Sequence, residues 1–155
     1  MYSVLYPPSD TPSDMLHFVV ADSRPADYAA VRAALAAPIV AWRFVTTARE
    51  ALRLARGRRV DLWMINTKLP DLSGLELCGI VKSSHLPQVV CVVADACDVE
   101  AEREARIRGA SLFVCKPLDA RLLEGLVDHL CRRLNGATPM SAGISFRQAS
   151  TGKTS

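Results

Sequence analysis

The chain lacks a strong excess of charge of either sign. Its 155 residues carry 19 Lys and Arg against 16 Asp and Glu, a formal net charge of +3. That balance argues against the one-sided positive field by which nucleic-acid binders hold phosphate. Long hydrophobic runs are missing too: the longest aliphatic stretches, such as residues 89–94, are strand-sized. Residues 1–14 contain no Lys or Arg ahead of an apolar segment. Neither a signal peptide nor a membrane span is therefore expected, and the chain is assigned to the cytoplasm. Of the five cysteines, Cys78, Cys91, Cys97, Cys115 and Cys131, no two have C-x-x-C spacing, and no His lies near enough in sequence to complete a zinc motif. Free buried thiols in a reducing cytosol are expected.

What is present is apolar material for one core. Half of the residues are hydrophobic, enough for several strands and helices, and the length leaves no room for a second folded domain. Pro7, Pro8 and Pro12, interleaved with Ser9, Asp10, Thr11 and Ser13, lack amide donors and mark residues 1–14 as a flexible leader. After residue 134 the composition turns to Ala, Ser, Thr and Gly, with Ile144 and Phe146 the large apolar side chains, so residues 135–155 read as a disordered tail.

Between them, over residues 15–134, apolar runs alternate with helical patterns. Strands are expected at residues 16–21, 40–45, 62–65, 89–93 and 112–115. Helices are expected at residues 26–37, opened by Pro25 in a first turn, from Thr47 to Arg56, and at residues 75–84, 99–108 and 119–134. Thr47 and Glu50 make a capping box, and Gly57 is read as that helix's stop. Strict βα alternation requires parallel strands with right-handed crossovers, hence an α/β fold: a doubly wound, five-stranded (βα)5 sheet with helices on both faces. Chemistry in such sheets gathers at the carboxyl ends of the strands, here Ala21 and Asp22, Asn66, Ala94 and Lys116.

Asp61-Leu-Trp-Met-Ile-Asn66-Thr-Lys-Leu-Pro70-Asp-Leu-Ser-Gly74 resembles the third strand and following loop of response-regulator receiver domains. Val19-Val20-Ala21-Asp22 is similar to the family's acidic pair after strand one, and Gly109-Ala110 followed by Lys116-Pro117 to the end of its strand five. No one of these motifs is specific alone, but their order and their placement on the expected strands agree. The resemblance covers roughly residues 15–134 and implies the flavodoxin-like receiver fold.

The same resemblance shows what has changed. The family's phosphorylated Asp stands here as Asn66, the first of its metal-site acids as Ala21, and its hydroxyl-bearing switch residue as Ala94. A neutral amide cannot replace an ionised carboxylate as nucleophile toward phosphate, and magnesium is held by carboxylates together with phosphate oxygens. With Asp22 read as the only remaining pocket carboxylate, no metal or other cofactor is expected, and magnesium binding should be weak or absent. Lys116 would pair with Asp22, and Lys68 could bring a second ammonium close. Taken singly, Asn66 could be a loop amide, Ala94 a packing residue and Lys116 a surface charge. Their convergence on strand ends favours a degenerate pocket.

The implied function is a stand-alone, non-enzymatic pseudo-receiver that binds a protein without being phosphorylated. Its partner would be a signalling kinase, an ATPase or a cyclic-nucleotide enzyme, or a second copy of the chain in a homodimer, with no nucleic acid and no membrane. One alternative is phosphorylation at another acid, Asp22 or Asp71, or an anion held near Lys68 and Lys116; another is an accessory module docked on a larger enzyme. The receiver surface commonly used for partners points to Arg103, Arg106 and Phe113, Phe113 standing where the family has a mobile aromatic. Glu102 with Arg106 and Glu104 with Arg108 have the i,i+4 spacing of an exposed helix. Arg53, Arg56, Arg58 and Arg59 complement a helix C-terminus and are read first as solvated charge. Gly152-Lys153-Thr154 lacks the rest of a P-loop, and His17, His85 and His129 have no nucleophile pattern beside them.

Overall fold

The computed structural model describes residues 15–35, 40–84 and 88–134. The leader at 1–14, the tail at 135–155, His85 and the end of the first expected helix lie outside the described residues.

Five parallel strands form one sheet in the order β2-β1-β3-β4-β5. They are β1 (Leu16–Ala21), β2 (Val40–Val45), β3 (Leu62–Asn66), β4 (Val89–Ala94) and β5 (Leu112–Cys115). The helices that cross between and follow them are α1 (Ala29–Ala34), α2 (Ala48–Gly57), α3 (Gly74–Lys82), α4 (Val99–Ile107) and α5 (Ala120–Leu134). The central strands are continuously apolar because both their faces are covered. In β1, Leu16, Phe18 and Val20 join one core cluster, with Tyr28, Val31, Leu123 and Leu126 from the α1 and α5 side. Val19 and Ala21 join the other, with Ala51, Leu77, Cys78 and Ala105 from α2, α3 and α4. Strand alternation thus divides one sheet into a two-helix face and a three-helix face.

Several boundaries differ from the sequence reading for local reasons. The first helix opens as a 3-10 turn over Pro25–Tyr28, with Pro at its start, and only then becomes α1. Gly57 does not stop α2 but ends inside it; the chain leaves the helix at Arg58, which takes an extended φ of −137° as Val60 enters the core. Thr47 caps α2 by accepting from Glu50 N, but Glu50 answers to Thr46 N rather than to Thr47. β3 runs on through Asn66 and β4 through Ala94, because Asn66 pairs in register with Val93, and Ala94 with Cys115. The ladder therefore carries two site positions as strand residues.

Two glycines are required by backbone geometry. Gly109, which follows α4, has φ +92°, a conformation that costs an L side chain strain. Gly74 begins α3 so close to the end of β3 that a Cβ there would lie 1.6 Å from the Asn66 carbonyl oxygen. Gly74 N donates to Thr67 O at 3.0 Å, closing the loop beneath the site.

Candidate functional site

The order of winding reverses between β1 and β3, and the crevice outside their carboxyl ends is where this sheet type gathers its functional groups. β1 delivers Asp22 there and β3 delivers Asn66, each only 1% exposed. A buried carboxylate must have its oxygens occupied, and those of Asp22 are. Oδ1 accepts from Arg24 N at 2.9 Å. Oδ2 accepts from Tyr28 Oη at 2.8 Å and from Asn66 Nδ2 at 2.9 Å, and lies 2.9 Å from Lys116 Nζ. Burial, reinforced by the charge of Asp22, pushes the Tyr28 hydroxyl far above its ordinary value, so the phenol stays a neutral donor.

Asn66 is matched to its surroundings atom by atom. Its Nδ2 donates to Asp22 Oδ2 and, at 3.0 Å, to Asp95 Oδ1; its Oδ1 accepts from Lys68 N at 2.8 Å. The amide has one workable orientation, since turning it over would set its oxygen against two carboxylates and its NH2 against an N–H. An aspartate here would keep the Lys68 bond, lose both donors and add a like charge about 3 Å from two others.

Lys116, at the end of β5, closes the site. Its Nζ lies 2.9 Å from Asp22, 2.7 Å from Asp27 and 3.0 Å from Asp95. Burial works against its charge, but hydrogen bonds to Asp27, Asp22 and Asp95 outweigh it and hold the ammonium protonated above the ordinary lysine range. Asp95 answers in kind: the Asn66 amide, then the Lys116 ammonium, keep its carboxyl below the usual carboxylate range. Ala21 and Ala94 contribute buried methyl groups to the core, and the Ala94 carbonyl accepts from Lys116 N at 2.8 Å.

The expectation that Asp22 is the only pocket carboxylate is corrected by this geometry. Asp27, on the 3-10 turn after β1, and Asp95, one residue past β4, share Lys116 with it. The strand-end reading stops at Ala94, one residue short of Asp95, and Asp27 is brought in by a 3-10 turn where an ordinary α-helix is expected. Three carboxylates against one ammonium leave a local formal charge of −2. The space among them is taken by Lys116 Nζ, and no group of three or more His, Cys, Asp or Glu among the described residues is arranged to hold a metal.

Other expected residues fall elsewhere. Lys68 is exposed and serves the site through its backbone N–H, not its ammonium, because the loop after β3 turns its side chain to solvent. Phe113 cannot belong to an accessible face, since β5 points it into the three-helix core at 2% exposure. Arg103 and Arg106 are exposed on α4, where Val99 and Ile107 are exposed as well, and Arg106 pairs with Glu102 at 2.8 Å. Asp71 Oδ1 and Oδ2 accept from Ala48 N and Arg49 N at 2.8 and 2.9 Å, binding it to the start of α2; these bonds hold its carboxyl below the ordinary range. Beside it, Arg49, Arg53 and Arg56 line a surface concavity of about 340 Å³, away from the strand-end site.

The free-thiol expectation is corrected too. Cys97 and Cys115 form a disulfide. They are separated by 18 residues with no sequence motif, but Ala94 and Cys115 pair across neighbouring strands, which brings the loop after β4 against the end of β5. Cys78, Cys91 and Cys131 remain free, and burial pushes the Cys78 thiol up to about 11 and that of Cys91 to about 12.

The response regulator receiver domain family matches residues 18–128. Among curated proteins, the chain is 36% identical over 86 residues to the polar-differentiation response regulator DivK of Brucella anthropi, covering 52% of this chain and 68% of that one. It is 28% identical over 89 residues to the regulatory protein LuxO of Vibrio vulnificus, covering 57% of this chain but only 20% of LuxO. A CheY-like receiver domain protein from Methanospirillum hungatei superposes with TM-score 0.69 at 18% identity, over 80% of this chain and 99% of that one. A Burkholderia pseudomallei response regulator with a phosphorylated aspartic acid and a calcium ion superposes with TM-score 0.65 at 18% identity, over 78% and 71%. No helix among the described residues is long and apolar enough to cross a membrane.

Proposed function

Because this chain belongs to the response regulator receiver domain family, a family of two-component signalling modules that act on kinases and effector domains, we propose that it is a pseudo-receiver: a module that signals by binding protein without accepting phosphate. One observation carries the reading. The acceptor position is an amide whose two N–H groups are spent on Asp22 and Asp95, so the pocket is complementary to Asn66 and hostile to a carboxylate.

The other candidate acceptors are engaged as well. Asp22 is buried beneath four donors, and Asp71 is bound to the first turn of α2. A carboxylate so held is a poor nucleophile. Lys116, the cation that would meet a phosphoryl group, is committed to three carboxylates. The chain does no chemistry of its own, works in the cytoplasm and needs no magnesium. Its partner is a protein, a signalling kinase, an ATPase or a cyclic-nucleotide enzyme, met at the exposed outer face of α4 around Arg103 and Arg106.

Intact-mass analysis after incubation with magnesium and a small acyl phosphate tests this. The native chain should gain no phosphoryl group, and a variant carrying Asn66→Asp and Ala21→Asp should gain one. A stoichiometric adduct on the native chain would sink the reading, and mapping it would name the true acceptor.

A further inference from the structure

Two of the five cysteines sit beside the pocket. Cys78 and Cys91 are buried, with thiols pushed up to about 11 and about 12, conditions that make them inert. Cys97 is exposed and Cys115 half-buried, and they are joined. Their neighbours are site residues: Cys97 lies two positions after Asp95, and Cys115 immediately before Lys116. The same two segments are tied three times. Lys116 N donates to Ala94 O at 2.8 Å, Lys116 Nζ meets Asp95 at 3.0 Å, and the disulfide lies beyond. The next residue, Asp98, caps α4 by accepting from Glu100 N at 3.0 Å, so the tie ends where the exposed helix begins.

We propose that Cys97 and Cys115 are a redox modification site, whose disulfide clamps the β4–α4 loop to β5 across the mouth of the pocket and whose reduction releases it. The inference rests on the reading of the pocket as one that takes no phosphate, and it supplies that pocket with a different covalent input. The reductant is a thiol of the glutathione class. Its thiolate attacks Sγ of Cys97, the exposed partner; the Sγ–Sγ bond breaks, and Cys115 leaves as a thiolate that takes up a proton. A second thiol attacks the mixed disulfide and frees Cys97. One protein disulfide and two small thiols become two protein thiols and one small disulfide, and glutathione disulfide drives the reverse. Disulfides that form in a reducing compartment are usually transient and redox-sensing, whereas structural ones belong to oxidising compartments. With the clamp open, the Asp95 side chain is held by its ion pair to Lys116 and the hydrogen bond from Asn66, at a carboxylate 40% exposed, where such pairs are weak.

The test uses the full chain equilibrated in glutathione buffers from fully oxidising to cytosol-like reducing ratios, with thiols trapped by differential alkylation and mapped by mass. Cys97 and Cys115 should be protected together at the oxidising end and alkylated together at the reducing end, while Cys131 is alkylated throughout. Amide exchange at Glu100 and Lys116, whose N–H groups are bonded to Asp98 Oδ1 and Ala94 O, should speed up on reduction by roughly tenfold, a local opening rather than global unfolding. Cys97→Ser should show the faster rate in both buffers. The proposal is overturned if Cys97 and Cys115 are alkylated at every ratio, if their bond survives the reducing buffers as a structural crosslink, or if exchange at these two amides is the same in both states. The alkylation detects no phosphate, so its failure is seen separately from a failure of the acyl-phosphate test.

Discussion

The two sides of the pocket are built differently. On the β1–β3 side, Asp22 and Asn66 are each 1% exposed, with every side-chain oxygen and both amide hydrogens engaged, and Gly74 lets the backbone of α3 close against Asn66. At the rim, Asp95, just past β4, and Asp27, on the 3-10 turn after β1, are about two-fifths exposed and reach the site only through Lys116 and Asn66. The first side is fixed by burial, since an unsatisfied group there costs its full desolvation. The second is fixed by charge pairs that water and salt weaken, and by one crosslink. One receiver pocket thus combines a rigid, buried floor with a rim held by exposed charge pairs and a crosslink.

The contrast should break most severely at Gly74. Gly74→Ala drives a methyl into the Asn66 carbonyl, and chemical denaturation should show a loss of about 3 kcal/mol or more, as for severe overpacking. Asn66→Asp should follow. Two hydrogen bonds are lost and a third carboxylate joins Asp22 and Asp95, for a loss of about 2 kcal/mol near neutral pH. Like charges and burial would raise the folded-state pKa of that new carboxyl, so the variant should regain stability as pH falls; a deficit unchanged with pH would refute the like-charge account.

Lys116→Met removes the counter-charge of both sides at once. Asp27 and Asp95 can then turn to water, while the buried Asp22 keeps its three hydrogen-bond donors, so the loss should stay at about 2 kcal/mol, below the cost of a fully buried charge left unpaired. The native lysine has a raised folded pKa, so its contribution is complete below the ordinary lysine value and fades as pH climbs through the folded one. The Met variant should lack that alkaline fade. Asp95→Asn should be milder, at most about 1 kcal/mol at low salt, after discounting for exposure. Its carboxyl is lowered in the fold, so the native contribution is present above the ordinary carboxylate range and disappears on acidification. The smallest effect belongs to Asp71→Ala, which should leave the pocket intact and be read as faster amide exchange at Ala48 and Arg49 alone.

Most of the scaffold was legible along the chain. Strands 16–21 and 112–115 carry the expected bounds because apolar runs buried in the sheet leave few alternatives, and edge strand 40–45 because its Val, Trp and Phe mark it despite the exposed Arg43. Asn66, Asp22 and Lys116 were identifiable because they stand at strand ends, where a parallel sheet must bring them together. Asp27 and Asp95 were not, for one lies on a 3-10 turn and the other just beyond a strand, and neither position has a periodicity that reveals its direction. Phe113 was misjudged because strand alternation sets its face only once the neighbouring strands are known. The disulfide was hidden for the same reason, its two sulfurs depending on the β4–β5 register.

The sequence by itself determined the alternation of strands and helices, hence the doubly wound sheet, and it determined that no carboxylate stands at position 66. Only the tertiary structure decided that the amide there is matched to two carboxylates, that one ammonium is shared by three, and that two distant cysteines meet at the rim. Local pattern dictates which segments must bury an apolar face, but the direction of a single side chain after a strand ends is fixed by the neighbours that packing brings against it.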